Sequence, residues 1–144
     1  MEVKLLNDNL WYPTDKIFIN GQWKDCHSKN RLPTENPSNG EVIAEISDSC
    51  DIDIDEAVNS ASKALDNSWG DLTASERGRL LLKLSELVRN RIDKLAIIES
   101  FDVGKPLKQA KSDALALARY FEFYGGASDK IMGETIPYLK DYTV

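Results

Sequence analysis

From about Pro106 past Tyr124, and as far as Met132 at its longest, the sequence reads as one long helix. Its stretch ALALARYFEFYGG carries only two charges in thirteen residues. A surface helix buries one apolar stripe and keeps its opposite face polar. Leu115, Leu117, Ala118, Phe121 and Tyr124 exceed one stripe, so other protein has to cover this helix. The rest of the chain is itself mostly amphipathic helix. Ile54, Ala57, Val58, Ala61, Ala64 and Leu65 form one stripe, opened by Asp53 with Glu56 three residues on, in the manner of a capping box. Thr73-Ala74-Ser75-Glu76 fits the capping-box pattern itself and opens a helix on which Leu80, Leu81, Leu84, Leu87 and Val88 share a face. Ile92, Leu95, Ala96 and Phe101 mark a further helix.

Strands are fewer. Ile17-Phe18-Ile19, Asn20-Gly21 and Gln22-Trp23 read as a hairpin, because Asn-Gly reaches the positive φ angles of a two-residue type I′ turn. Asn36-Pro37-Ser38-Asn39-Gly40 is a second turn, in which Pro37 fixes φ and Gly40 tolerates a left-handed conformation. After it Val42, Ala44 and Ile46 alternate with Glu41, Ile43 and Glu45, a strand with one face more apolar than the other. The sequence closes on the β-prone run Asp141-Tyr142-Thr143-Val144. That run is either an edge strand at a natural terminus or a strand cut partway along. Helices that need cover outnumber the strands that could give it.

Length and composition narrow the function classes. With 144 residues, 42% hydrophobic and 29% charged, the chain has the size of one domain or of a piece of a larger one. A net charge of −6 argues against a nucleic-acid surface, which needs clustered Lys and Arg. No run approaches the ~18 apolar residues of a membrane span. MEVKLLNDNLWYP lacks the uninterrupted apolar region of a secretory signal. Cys26 and Cys50 lie in no CxxC pattern; two cysteines allow one disulfide, but a reduced pair in a cytoplasmic protein is the better reading.

The segment ESFDVGKPLKQAKSD, Glu99 to Asp113, raises the question of chemistry. A phosphate-binding loop needs Gly five positions before Gly104 and Ser or Thr after Lys105, where Glu99 and Pro106 stand. A joint between helices fits better: Gly104 suits the left-handed position that ends one helix, and Pro106 suits the first turn of the next. Asp102 is either a solvated carboxylate or an oxygen ligand gathered at the helix end around a cation. Asp113, just ahead of the apolar run from Ala114, stands at the rim of a buried cleft or on the exposed side of its helix. Tyr120, Phe121, Phe123 and Tyr124 at helical spacing read as core. His27 is the only histidine, and its neighbours KDCHSKNR suggest an exposed loop. Adjacent residues in a strand point apart, so Cys26 and His27 do not make a nucleophile and base. One His without clustered Cys does not supply a zinc set. Residue chemistry alone specifies no reaction.

The segments IFINGQW, NPSNGEVIAEI, ERGRLLLKLSELV, ESFDVGKPL and RYFEFYGGASDKIMGETIPY, in this order and at these separations, resemble the amino-terminal part of the NAD(P)-dependent aldehyde dehydrogenase superfamily from about Lys16 onward. The resemblance implies an α/β fold, Rossmann-like and three-layered when whole. This chain would hold its amino-terminal hairpin and helices only, incomplete and mostly helical. Residues 1–137 fall to the amino-terminal part of the cofactor-binding domain and 138–144 to the start of the oligomerisation β-hairpin. Family members are oxidoreductases in which a Cys thiolate attacks the aldehyde, hydride passes to NAD or NADP, and a Glu-activated water releases the carboxylic acid. The motifs holding that Cys, that Glu and the cofactor glycines lie beyond this chain, so no catalytic and no cofactor-binding residue is assigned. Cys26 and Cys50 match none of them.

The implied protein is an amino-terminal fragment, inactive alone, of a cytoplasmic enzyme. In full length that enzyme takes an aldehyde substrate, forms a homo-oligomer and binds neither nucleic acid nor membrane. The alternative is a non-catalytic interaction module that pairs with an intact family subunit through its terminal strand. A small independent helical domain is the third reading. The resemblance also implies sites. Asp102 matches a position that in several members joins backbone oxygens around Na⁺ or K⁺, with Thr34 and Glu35 contributing mainly carbonyl oxygens. The helix after Gly104 lines the substrate entrance in the family, which makes Asp113, Ala116 and Tyr120 candidate channel residues.

Overall fold

The computed structural model describes residues 13–134 with their side chains and, outside that range, the backbone of four short strands. Thr135, Ile136, Asp141 and Val144, on which the sequence reading of the closing segment partly rests, lie outside the described residues. In chain order the elements are β1 (Val3–Leu5), β2 (Asp8–Leu10), β3 (Ile17–Ile19), β4 (Gln22–Lys24), β5 (Asn30–Glu35) and β6 (Val42–Asp48), then α1 (Asp51–Asp66), α2 (Ala74–Arg89), α3 (Ile92–Val103) and α4 (Leu107–Ala127), then β7 (Pro137–Leu139) and β8 (Tyr142–Thr143). Each described sheet is a two-stranded antiparallel ribbon joining consecutive strands. Within the closing run Tyr142–Thr143 form β8, paired antiparallel with β7.

The hairpins follow from their turn residues. Asn20 (φ 52°) and Gly21 (φ 74°) both take positive φ, which sets Phe18 directly opposite Trp23 in β3–β4. Their rings lie 5.0 Å apart at 56°, an aromatic cross-strand pair. Between β5 and β6 the Asn36 side chain organises the turn: its Oδ1 accepts from the Ser38 N–H (3.0 Å) and hydroxyl (2.7 Å). Gly40 (φ 73°) then lets the chain return. On β6 only Ala44 of the alternating set is buried, against Ile97, Ile98 and Phe101 of α3, while Val42 and Ile46 on the same face remain exposed.

Two helix starts separate cleanly. Thr73 caps α2 as expected: its hydroxyl accepts from the Glu76 N–H (3.2 Å) and Glu76 reaches back to the Thr73 N–H (2.8 Å). The cap of α1 lies three residues earlier than the sequence reading placed it. Cys50 is the N-cap, and Asp53 is the acidic third residue whose carboxylate accepts from the Cys50 N–H. Asp53 therefore closes the box that it was expected to open.

The helices meet through small residues. On α4 the buried positions are Ala110, Ala114, Ala118 and Gly125, and on α2 they are Gly78, Ser85 and Val88. Ser85 Oγ donates to the Ala118 carbonyl at 2.7 Å, satisfying a polar pair inside the contact. Leu80, Leu84 and Leu87 of α2, expected on the packed face with Val88, are exposed, because the close approach selects the glycine and serine side of the helix. Likewise Ile54, Val58 and Leu65 leave the α1 stripe exposed, and α4 ends at Ala127 rather than continuing to Met132.

Gly104 ends α3 with φ 71° and ψ 16°, and a Cβ there would stand 3.2 Å from Pro37 Cβ in the β5–β6 turn. Both the left-handed backbone and this contact call for glycine. Pro106 is the N-cap of α4 (ψ 133°), one position before the first-turn place expected for it.

The α2–α4 contact gives a direct test. A Cβ on Gly78 would meet the Gly125 carbonyl oxygen at 2.6 Å, as well as Ser128 Oγ, whereas one on Gly126 would meet nothing within 4 Å. Gly78→Ala is expected to destabilise by about 1–3 kcal/mol through overpacking. Gly126→Ala is expected to stabilise by up to ~1 kcal/mol through helix propensity. Urea unfolding of both variants decides the point, and equal effects would place the tight approach elsewhere.

Candidate functional site

Three clusters of functional side chains surround the helices. The first lies where the β5–β6 hairpin meets α3. Thr34 and Asp102 line one pocket of about 260 Å³ with Ile43, Ala44, Ile46, Ile98 and Phe101. The ladder shifts register between Thr34 and Glu35, so that Ala44 faces Thr34 while Val42 faces Glu35. Such a bulge interrupts regular pairing where these two carbonyls lie. The structure thus brings Thr34 and Asp102 together, while Glu35 is exposed and does not line the pocket.

The second cluster is on α4. Ala116 and Tyr120 share a groove of about 510 Å³ with Ser112, Leu115, Arg119, Phe123 and Tyr124. Phe123 and Tyr124 meet edge to face, 5.2 Å between centroids. Asp113 does not line this groove. Its carboxylate accepts from Lys105 Nζ (2.7 Å) and Gln109 Nε2 (2.9 Å), beside a depression that it shares with Asp102. Lys105 also donates to Glu99 (2.5 Å), and its carbonyl accepts from Ser100 Oγ (2.7 Å). The two carboxylates, Asp113 first, push the Lys105 ammonium above its ordinary pKa, and Lys105 in turn holds Asp113 below the usual carboxylate range. The joint is therefore also a charge-paired corner between α3 and α4, which sequence reasoning did not identify.

The third cluster was also missed. Asp53 is 1% exposed, yet its carboxylate is fully engaged. Oδ1 pairs with His27 Nδ1 at 2.7 Å, and Oδ2 accepts from the backbone N–H groups of Cys50 (3.1 Å) and His27 (3.2 Å). The His27 ring, followed by the two backbone donors, outweighs burial and lowers the Asp53 pKa to about 2. Glu56, one turn on, is ion-paired with Lys24. His27, Asp53 and Glu56 each bring one ligand atom within 4.8 Å of the others. Two features oppose a metal ion there: the Lys24 ammonium occupies Glu56, and the α1 amino terminus carries positive dipole charge. The arrangement is a clamp between the β4–β5 connection and α1. The Cys-x-x-Asp spacing is a capping-box signature with an unusual first residue, whereas nothing local to His27 points to Asp53, 26 residues away.

The thiols are not arranged for nucleophilic work. Cys26 is buried beside the Ser28 hydroxyl (3.5 Å), which pulls its pKa down against burial. Cys50 points its thiol at the Asp53 carboxylate (3.4 Å). Neither thiol has the His27 ring as its hydrogen-bond partner: Cys26 meets Ser28 and Cys50 meets Asp53.

Comparison with known proteins adds to this geometry. Residues 23–144 match the aldehyde dehydrogenase family. Human retinal dehydrogenase 2 is 42% identical over 137 residues, taking in 93% of this chain and 26% of that protein. A structure of the aldehyde dehydrogenase from Bacillus cereus superposes with a TM-score of 0.83 at 35% identity, over 90% of this chain and 27% of that one. The NAD-dependent aldehyde dehydrogenase from Sinorhizobium meliloti does so with a TM-score of 0.81 at 30% identity, over 88% and 26%. The chain spans about a quarter of the length of the relatives it matches.

The clamp has a pH signature. A folded-state pKa of about 2, below the ordinary 3.8, means that ionised Asp53 stabilises the fold. That contribution is complete above about pH 4–5 and is lost as pH falls through 3.8 toward about 2. Asp53→Asn is expected to be less stable at neutral pH and to lose less on acidification across this window. Thermal unfolding from pH 7 to pH 2 is the measurement, and parallel profiles for both proteins would rule the clamp out.

Proposed function

Because the chain belongs to the aldehyde dehydrogenase family, we propose that it forms the amino-terminal part of an NAD(P)-dependent enzyme that oxidises an aldehyde to a carboxylic acid. The observation that carries this is the family match over residues 23–144, joined to a fold shared at a TM-score of 0.83. Residues 1–137 belong to the cofactor-binding domain in this reading, and 138–144 open the hairpin through which subunits form a homo-oligomer. The nucleophilic Cys, the Glu base and the NAD or NADP site lie on residues outside these 144, where the cofactor, when bound, accepts hydride. The free thiols of Cys26 and Cys50 fit a reducing compartment, and we place the enzyme in the cytoplasm.

The contribution of this chain is positional. Lys105, held between Glu99 and Asp113, fixes the angle between α3 and α4, and so aims the face carrying Ala116 and Tyr120. That face is the wall of the aldehyde entrance in this reading, with Asp113 supporting it from behind rather than touching substrate. The Thr34 and Glu35 carbonyls with the Asp102 carboxylate hold Na⁺ or K⁺, a hard cation suited to oxygen ligands, at the hairpin–helix seam.

Two measurements test this. The purified 144-residue chain is expected to form no NADH or NADPH from a panel of aldehydes. A chimera in which it replaces the matched portion of the Bacillus cereus enzyme is expected to oxidise them. A soluble chimera without activity would sink the proposal. In that chimera Na⁺ or K⁺ is expected to raise the thermal midpoint, and Asp102→Ala to abolish the rise; a variant that keeps its full salt response removes Asp102 from the cation site.

A further inference from the structure

Helix α1 has two unlike faces. Val58, Ala61 and Leu65 belong to its apolar stripe, whereas Glu56, Asn59, Ser60, Lys63 and Asn67, three or four residues apart, lie on the other side of the helix. That polar face looks across at the β3–β4 hairpin, and the two enclose a cavity of about 620 Å³, a size suited to a small molecule. Ile19, Ser60 and Ala64 form its half-buried floor. The small side chains of Ser60 and Ala64, one turn apart, leave open a space that larger ones would fill.

The rim is built of hydrogen-bonding groups. The Asn20–Gly21 turn, with positive φ at both residues, sets Asn20 and Gln22 on the hairpin side. Asn59, Asn67 and Ser68 stand on the helix side, and Asn67 is held in place by donating its side-chain N–H to the Lys63 carbonyl at 2.8 Å. Carboxamides and hydroxyls donate and accept alike, which matches a ligand rich in hydroxyl groups. The charges in the lining are unequal. Lys24 and Lys63 share it with one carboxylate, Glu56, and Lys24 is ion-paired with that carboxylate. Lys63 is therefore the uncompensated charge of the lining. On a chain of net charge −6, whose surface at large repels anions, this is a local cation set among neutral hydrogen-bonding groups.

We propose that the cavity between the β3–β4 hairpin and α1 binds a small polyhydroxylated anion, a sugar acid or a sugar phosphate. Lys63 pairs with its anionic group, and the surrounding carboxamides and hydroxyls take its hydroxyl groups. The cavity lies opposite the apolar stripe of α1, so protein that covers the stripe leaves the cavity open. It is separate from the groove on α4. The site stands on the geometry of this chain and not on its reading as a dehydrogenase, so a chimera without activity leaves it untouched.

The test is titration calorimetry with gluconate and with glucose 6-phosphate, which tell a carboxylate from a phosphate ligand, and with sorbitol and acetate as controls. It is made on the 144-residue chain and on the chimera with the Bacillus cereus enzyme, each checked by circular dichroism, so that loss of fold in one leaves the other to decide. At least one of the two sugar anions is expected to bind about tenfold or more tightly than sorbitol and acetate, as a charge-assisted bond joined to several neutral ones requires. Lys63→Gln is expected to remove about tenfold of that affinity, and Ala64→Leu, which fills the floor, to abolish binding. Lys108→Gln, at an exposed site on α4, is expected to change nothing. Equal binding of sorbitol would take the charge out of recognition, and equal binding of acetate would reduce the site to general attraction of anions; either overturns the proposal. So does binding that survives both Lys63→Gln and Ala64→Leu, or no binding of either sugar anion. Binding confined to the isolated chain, with both proteins folded, would show that the cavity is closed in the whole fold and would overturn it as well.

Discussion

Where α2 crosses α4 the two backbones touch, because neither Gly78 nor Gly125 has a side chain to hold them apart. A Cβ on either would stand within 3.0 Å of the other's carbonyl oxygen. One turn or two further along, the Ser85 hydroxyl bonds the Ala118 carbonyl, so the approach stays close without stranding a polar group. This contact sets which side of each helix faces inward, and hence which side is left out. Had Leu84 or Leu87 faced α4, the helices would have been pushed apart and the large residues buried. As built, the close seam leaves Leu80, Leu84 and Leu87 exposed, while Leu81 and Leu82 rest against Gly125. The outward apolar surface follows from the inward glycines.

The same economy operates at the Gly104 joint. Its left-handed backbone lets α3 stop and α4 start within three residues, and its missing side chain lets Pro37 rest against the corner. The β5–β6 turn is thereby tied to the helix pair, which places Thr34 beside Asp102 in one pocket. Lys105 then fixes the corner by charge, reaching Glu99 before the bend and Asp113 beyond it. A lysine with two carboxylates in a partly exposed place contributes orientation more than stability, since exposed ion pairs are individually weak.

How much of this the sequence disclosed depended on range. Asn20-Gly21, Thr73 with Glu76, and Gly104 act on residues within four positions of themselves, and each was readable and is found in place. The Cys50 cap was local too, but cysteine is not among the usual capping residues, so the box was read from Asp53 onward. The faces of α1 and α2 were misjudged for another reason. Periodicity identifies an apolar stripe without saying whether its partner lies in the same 144 residues, and here Val58, Leu65 and Leu84 are left exposed. The His27–Asp53 pair and the Lys105 corner join residues that only folding brings together. At the candidate site the motif order made the family legible, whereas the separation of Asp113 from Ala116 and Tyr120 required the helix register.

Helix α1 shows why a buried carboxylate serves better here than a packed leucine. A helix of this length is marginal by itself and needs tertiary support. The element that it chiefly meets in space is the short strand β3, too small to receive an apolar stripe. Asp53 supplies the support at one point instead, taking two backbone N–H groups and the His27 ring while adding negative charge to the helix amino terminus. Directional bonds fix where the helix begins and which way it points, and they use none of its apolar surface. Ile54, Val58 and Leu65 are left on an oriented helix, ready to be covered as a set. A leucine in place of Asp53 would have spent apolar area on the hairpin and left the direction of α1 to whatever it met next.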